Sequence, residues 1–189
     1  MNNKLGQAIK IVKNRGIIIF PTDTAFGIGC RIDDVGLVEK LFKTRKRPQE
    51  KAVPVLVASI KMAEEYADIN TTARKLIQQH WPGGLTVVVP AKINKTNSLV
   101  RGGGKTIGIR MPNHTTTLKL IKAVGVPIIG SSANFAGEQT PYKMSDLDSE
   151  LIKQVDFVLP GRCSAKLSST VVDCTGDKIK ILRQGAVKI

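Results

Sequence analysis

The 189-residue sequence predicts an α/β fold, a single domain with a twisted, mostly parallel or mixed open sheet and flanking helices. Three observations carry this expectation. Short apolar runs alternate with helix-length amphipathic segments along the whole chain. Several of those runs, such as "GIIIFP" (16–21) and "VPVLVA" (53–58), are almost wholly Ile and Val, the composition of strands covered on both faces. No repeat, low-complexity tract or linker interrupts the pattern, so residues 1–189 read as one domain with one core.

Taken in order, Leu5, Ala8, Ile9 and Val12 form a helical stripe rather than the apolar block of a signal peptide. "GIIIFP" is a strand that Pro21 ends. Asp33 or Asp34 can cap a helix to Lys43, with Leu37, Val38, Leu41 and Phe42 on one face. After the strand 53–58, Ser59 caps a helix to about Ala67. Asn70 caps another, with Ala73, Leu76 and Ile77 inward, stopped by Trp81-Pro82-Gly83-Gly84. "LTVVVPA" (85–91) and "TIGIRMP" (106–112) are strands, the second alternating Ile107, Ile109 and Met111. Thr115 to Val124 is helical and closed by Gly125. "VPIIGSSAN" (126–134) is a strand entering a turn, and Ser145 is expected to cap a helix to about Val155. "FVLPG", "STVVDC" and "KIKILR" supply the last strands.

Composition narrows the function. With 29 basic against 15 acidic residues the net charge is +14, which attracts nucleic acid or phosphorylated small molecules. Aromatic content of 4% argues against a base-stacking platform. No apolar stretch reaches the roughly 18 residues of a membrane span. Cys30, Cys163 and Cys174 make no CxxC pair and no metal-like spacing with His80 or His114, so reduced thiols, a cytoplasmic location and no metal site are expected.

"RGGGKTIGIR" (101–110) ends like a phosphate-binding P-loop but is not one. The first glycine of that pattern would fall on Leu99, and the residues after Thr106 alternate as a strand instead of opening a helix. The G-x-G-x-x-G fingerprint is absent too, because Ile32 stands where its last glycine would be. Four other segments concentrate chemistry. "PTDTAFGIGC" (21–30) joins hydroxyls and a carboxylate to two glycines. "KTRKRPQEK" (43–51) holds five cations at a helix end, where Arg47-Pro48 fixes the backbone and a guanidinium suits bidentate anion contacts. "GSSANFAGEQTP" (130–141) places Ser131, Ser132 and Asn134 at the carboxyl end of an apolar strand, where ligands of open α/β sheets bind. "SSTVVDC" with "ILRQG" contributes Ser169, Thr170 and Arg183.

The blocks "PTDTAFGIG", "KRPQEK", "WPGGLTVVVPA", "IGIRMPNH", "SSANFAG", "STVVD" and "LRQGA", in this order from about Leu5 to Ala186, resemble the YrdC-like family of threonylcarbamoyl-AMP synthases in its single-domain form. The resemblance implies a YrdC-like fold with a basic concave ligand-binding face. It also implies synthesis of threonylcarbamoyl-adenylate and pyrophosphate from L-threonine, bicarbonate and ATP. A partner threonylcarbamoyl-transferase then modifies adenosine 37 of tRNAs that read codons beginning with A. ATP is a substrate accompanied by Mg²⁺, and neither a tightly bound cofactor nor a protein-held metal is implied. Crowding a carboxylate, a carbamate and a triphosphate together requires several fixed cations.

Carried over residue by residue, the resemblance assigns Thr24, Arg110 and Ser169 to L-threonine. It assigns Arg47, Lys51, Thr106, Ser132, Asn134, Thr140 and Arg183 to ATP, with Arg45, Arg47, Ser132 and Asn134 as the catalytic group. Thr106 and Arg110, both even-numbered, share the strand face opposite Ile107 and Ile109, and Lys105 points away. Three residues depart from the family pattern: Arg45 stands where lysine is usual, Phe26 where Tyr is common, and Ser168 where Glu often precedes Ser-Thr-Val. Two alternatives stay open: a relative of the same fold that binds nucleotide or RNA without the adenylating step, and a plain RNA-binding protein. The basic surface suits tRNA or double-stranded RNA under either.

Overall fold

The computed structural model describes residues 2–189. Helix α1 (Asn2–Lys13) leads into β1 (Ile18–Phe20), which pairs antiparallel with β2 (Gly27–Gly29). Helix α2 (Val35–Thr44) begins at Asp34, whose carboxylate accepts from the Leu37 amide, and buries Leu37, Val38, Leu41 and Phe42 as the spacing requires. Strand β3 (Val55–Leu56) precedes α3 (Ile60–Tyr66) and α4 (Thr71–His80), capped by Ser59 and Asn70. Then come β4 (Leu85–Pro90), β5 (Thr106–Arg110) and α5 (Thr115–Val124), the last closed by Gly125 in the left-handed conformation. The chain finishes with β6 (Ile128–Ile129), β7 (Ser131–Ser132), α6 (Ser149–Lys153), β8 (Phe157–Val158), β9 (Thr170–Asp173) and β10 (Lys180–Arg183).

The strands form two mixed sheets, ordered β7-β2-β1-β8 and β10-β9-β4-β5-β3-β6, rather than one. Among the described residues three strand pairs are parallel and five antiparallel, so the sheets are mixed and the parallel pairs are the minority. The apolar run 126–134 explains the division. It is not one strand: β6 pairs with β3, and two residues later β7 pairs with β2 of the other sheet. The changeover falls at Gly130, where a side chain would overlap Leu56. Strand 53–58 is likewise shorter than its apolar run.

The expected helix from Ser145 is also corrected. Met144–Asp146 is a single 3₁₀ turn, and α6 starts only at Ser149, because Asp148 supplies the cap by accepting from the amides of Glu150 (2.8 Å) and Leu151 (2.9 Å). A carboxylate serves these free amides and the helix dipole better than the Ser145 hydroxyl, which donates to Asp146 instead.

Two apolar clusters hold the layers together. The larger lies around β3, β4 and β5 and takes in α2, α3 and α4; the smaller joins α1 and α5 to Ile18, Phe20 and Leu159. Strand β1 contributes Ile18 and Phe20 to one cluster and Ile19 to the other, which is why it is apolar at every position. The sheets touch along β2 and β6, where the Ile129 amide donates to the Cys30 carbonyl (2.8 Å). Gly29 sits so close that any Cβ there would overlap the Ile129 carbonyl oxygen. Gly29→Ala is therefore expected to cost about 3 kcal/mol, as overpacking against fixed backbone does. A lower urea midpoint at unchanged m-value checks this.

Candidate functional site

The seam between the sheets opens into a cleft. Its walls come from the turn after β1 (Thr22, Thr24), the segment after α2 (Arg47), the end of β5 (Arg110), the β6–β7 crossover (Ser131, Ser132), Thr140, and Ser168, Ser169 and Arg183. The local sequence sets each part. In the β1–β2 turn, the Thr22 hydroxyl donates to the Ala25 carbonyl (2.7 Å) and accepts from the amides of Thr24 (3.1 Å) and Ala25 (3.2 Å). A hydroxyl folding back on its own turn leaves Thr24 fixed toward the cleft.

Arg110 ends β5 almost wholly buried. Its Nε donates to the Gly83 carbonyl (2.9 Å), Nη1 to the Thr24 hydroxyl (2.6 Å) and Nη2 to Asp23 (2.5 Å). Burial lowers its pKa while the Asp23 charge opposes the shift. Across the cleft, the Ser169 hydroxyl bonds to that of Thr86 (2.9 Å), and Arg183 donates to both the carbonyl and the hydroxyl of Ser169 (3.0 and 3.1 Å). One end of the cleft thus holds Thr24, Arg110 and Ser169 at fixed positions.

The other end is built on Arg47. Arg47 follows the C-terminus of α2, and its Nε and Nη2 donate to the carbonyls of Lys51 (3.1 Å) and Ala52 (2.6 Å). That leaves Nη1 without a protein partner among the described residues. Burial lowers the Arg47 pKa.

Arg45 lies behind this wall, only 2% exposed. Its guanidinium donates to the Ser131 hydroxyl, the Asn134 carbonyl (3.0 Å) and Oδ1 (3.4 Å), and the Ser132 hydroxyl (3.5 Å). Among the described residues no carboxylate pairs with it. Burial, with the Arg47 charge second, pushes its pKa down to about 10, so it stays cationic at neutral pH. Asn134 in turn donates to the carbonyls of Phe135 and Glu138 (2.8 Å each).

Seven of the residues that the resemblance assigns to threonine or ATP come together as cleft walls: Thr24, Arg47, Arg110, Ser132, Thr140, Ser169 and Arg183. Arg45 and Asn134 stand directly behind, supporting the β7 turn. Two are placed elsewhere. The Lys51 side chain is exposed and only its carbonyl enters the arrangement. Thr106 shares the face of Arg110 but pairs with Pro90 at the opposite end of β5, about 13 Å away at about 3.3 Å per residue. Sequence reasoning gave no role to Asp23 or Thr86. Each had a signal: a carboxylate between two threonines at a strand end, and a lone hydroxyl inside an apolar strand.

Four arginines against one carboxylate make the cleft strongly positive, and hydroxyls line the rest. Asp23 is committed to Arg110, and the described residues contain no cluster of three or more His, Cys, Asp or Glu. No described helix is long and apolar enough to cross a membrane, and the three cysteines are buried and free.

Such a site is a positively charged, hydroxyl-lined cleft on an α/β fold of two mixed sheets. The Sua5/YciO/YrdC family profile, described as "Telomere recombination", matches residues 10–185, and the chain belongs to that family. It is 31% identical over 189 residues to the threonylcarbamoyl-AMP synthase of Bacillus subtilis, covering 97% of this chain and 54% of that protein. The enzyme of the same name from Vibrio vulnificus is 28% identical, with 98% of this chain and all of that protein covered. Among solved structures, Pyrococcus abyssi Sua5 complexed with L-threonine superposes with a TM-score of 0.90 at 28% identity, over 98% of this chain and 55% of that one. Escherichia coli YciO gives 0.87 at 26%, over 98% and 90%. The chain thus spans about half the length of the Bacillus and Pyrococcus relatives and nearly all of the other two.

Proposed function

We propose that the protein is an adenylyl-transferring enzyme that makes threonylcarbamoyl-AMP and pyrophosphate from L-threonine, bicarbonate and ATP. The observation that carries this reading is the division of one cleft into a carboxylate end, Arg110 with Thr24 and Ser169, and a phosphate end built on Arg47. The threonine-bound Pyrococcus relative, with the same fold, supports the first half.

In this reading the threonine amine adds to bicarbonate, giving a carbamate and water. A carbamate oxygen then bonds to the α-phosphorus of ATP as the bond to the β-phosphate oxygen breaks, and pyrophosphate leaves. Threonine is held by Arg110, Thr24 and Ser169. Arg47 and Arg183 offset the phosphate charge, and Ser132 and Thr140 offer hydroxyls to the nucleotide. Arg45 and Asn134 fix the Ser131–Ser132 turn. No side chain is required as a general base; positioning and fixed charge supply the rate. Mg²⁺ would enter on the triphosphate as part of the substrate.

Purified protein should release pyrophosphate only when threonine, bicarbonate and ATP are all present; release without threonine would refute the reading. The downstream partner would be a threonylcarbamoyl-transferase acting on adenosine 37 of tRNA. The +14 charge supports direct contact with tRNA or double-stranded RNA. Such binding should weaken steeply with added salt, and a flat response would exclude it. One feature favours a second reading, a relative that binds nucleotide without adenylating: the guanidinium of Arg45 is already engaged by Ser131, Ser132 and Asn134. Under that reading ATP binds but no pyrophosphate appears with any combination of substrates.

A further inference from the structure

We infer that Gly102, in the glycine turn that mimics a P-loop, is a positioning residue for Arg47. The orientation of Arg47 depends on two carbonyls, those of Lys51 and Ala52, in a segment without regular secondary structure. That segment has few anchors of its own: the Lys51 amide donates to the Pro48 carbonyl (3.2 Å) and the Val53 amide to the Val100 carbonyl (3.0 Å).

The glycine turn presses on it from the other side. A Cβ on Gly102 would lie 2.5 Å from the Glu50 carbonyl oxygen and 2.7 Å from the Ala52 nitrogen, both backbone atoms that no side-chain rotation can move aside. Gly102 also has φ +58°, a conformation that disfavours a side chain. The turn is a stiff wedge. The amides of Gly102, Gly103 and Gly104 donate to the carbonyls of Leu99 (3.1 Å), Ser98 (3.0 Å) and Arg101 (3.1 Å), and the Arg101 side chain folds back onto the Thr96 and Gly104 carbonyls. Adding even a methyl group must therefore displace residues 50–52, and with them the carbonyls that aim Arg47. Among the described residues, the hydrogen bonds of Thr24, Arg110 and Ser169 do not reach this turn.

Gly103 provides the control. It has φ +77°, yet nothing lies within 4 Å of a Cβ built on it. An alanine at 103 adds backbone strain without the collision. The inference rests on Arg47 facing the nucleotide phosphates, and two measurements keep it separable from that reading. In calorimetric titrations with ATP and with L-threonine, Gly102→Ala should weaken ATP binding about tenfold and leave threonine within about twofold; Gly103→Ala should change neither. Combined with Arg47→Ala, Gly102→Ala should cost nothing further, as expected when both changes remove one interaction. Amide exchange at Lys51 and Val53 should quicken in Gly102→Ala and not in Gly103→Ala. If the unaltered protein binds no ATP, the nucleotide reading fails and the exchange data alone decide whether Gly102 sets this segment. Equal ATP affinity and equal exchange in the two alanine variants would overturn the inference.

Discussion

Arg110→Ala should raise the threonine concentration needed for half-maximal pyrophosphate release about 100-fold, with the ATP requirement within about threefold, since losing a buried charge-assisted contact costs 2–5 kcal/mol. The asymmetry follows from location. Arg110 touches Thr24, Asp23 and Gly83 at one end of the cleft, away from Arg47. Removing it also leaves Asp23 buried at 8% exposure without its ion pair, so a loss of stability of about 3 kcal/mol should accompany the kinetic effect. Steady-state titration of each substrate against the other checks the first part, and urea unfolding the second. Equal loss of threonine and ATP would contradict the assignment of Arg110 to the carboxylate.

The second large effect is expected at Arg45. Its guanidinium is a fork that reaches Ser131, Ser132 and both oxygens of Asn134. Arg45→Ala leaves these acceptors without their donor in a buried site, which should destabilise the fold by about 3 kcal/mol and abolish most turnover. Arg45→Lys tests the geometry separately from the charge. A single ammonium cannot span all of these acceptors, so it should recover part of the stability and keep the apparent threonine affinity, while ATP binding stays weakened. Lysine behaving as arginine does, in both stability and ATP affinity, would show that charge alone matters there. Circular dichroism in urea and ATP titration of the two variants give the answer.

Much of this was legible in the sequence, for identifiable reasons. Caps at Asp34, Ser59 and Asn70 and the stop at Gly125 obey local chemistry, and the helices begin and end where those residues stand. The apolar run 126–134 was legible as buried but not as divided, since hydrophobic continuity does not record which sheet a strand joins. The Asp148 cap was missed because Ser145 and Asp148 both fit the signal, and only the extended backbone at Leu147 decides between them. In the site, side chains on strand faces or fixed turns, such as Arg110 and Thr24, line the cleft. Thr106 lies at the far end of β5, since the alternation that puts it on the face of Arg110 says nothing about distance along the strand. The contacts that hold Arg45 and Arg110, with partners 27 to 89 residues away, are tertiary, and no local pattern encodes them.

In the proposed function one cleft joins threonine, bicarbonate and the adenylyl group of ATP. Mass spectrometry of the nucleotide products formed with ¹³C-bicarbonate, L-threonine and ATP tests it most directly. The expected product is a threonylcarbamoyl-adenylate that carries the heavy carbon and vanishes when threonine is omitted. Binding of ATP and threonine with no labelled adenylate would contradict it.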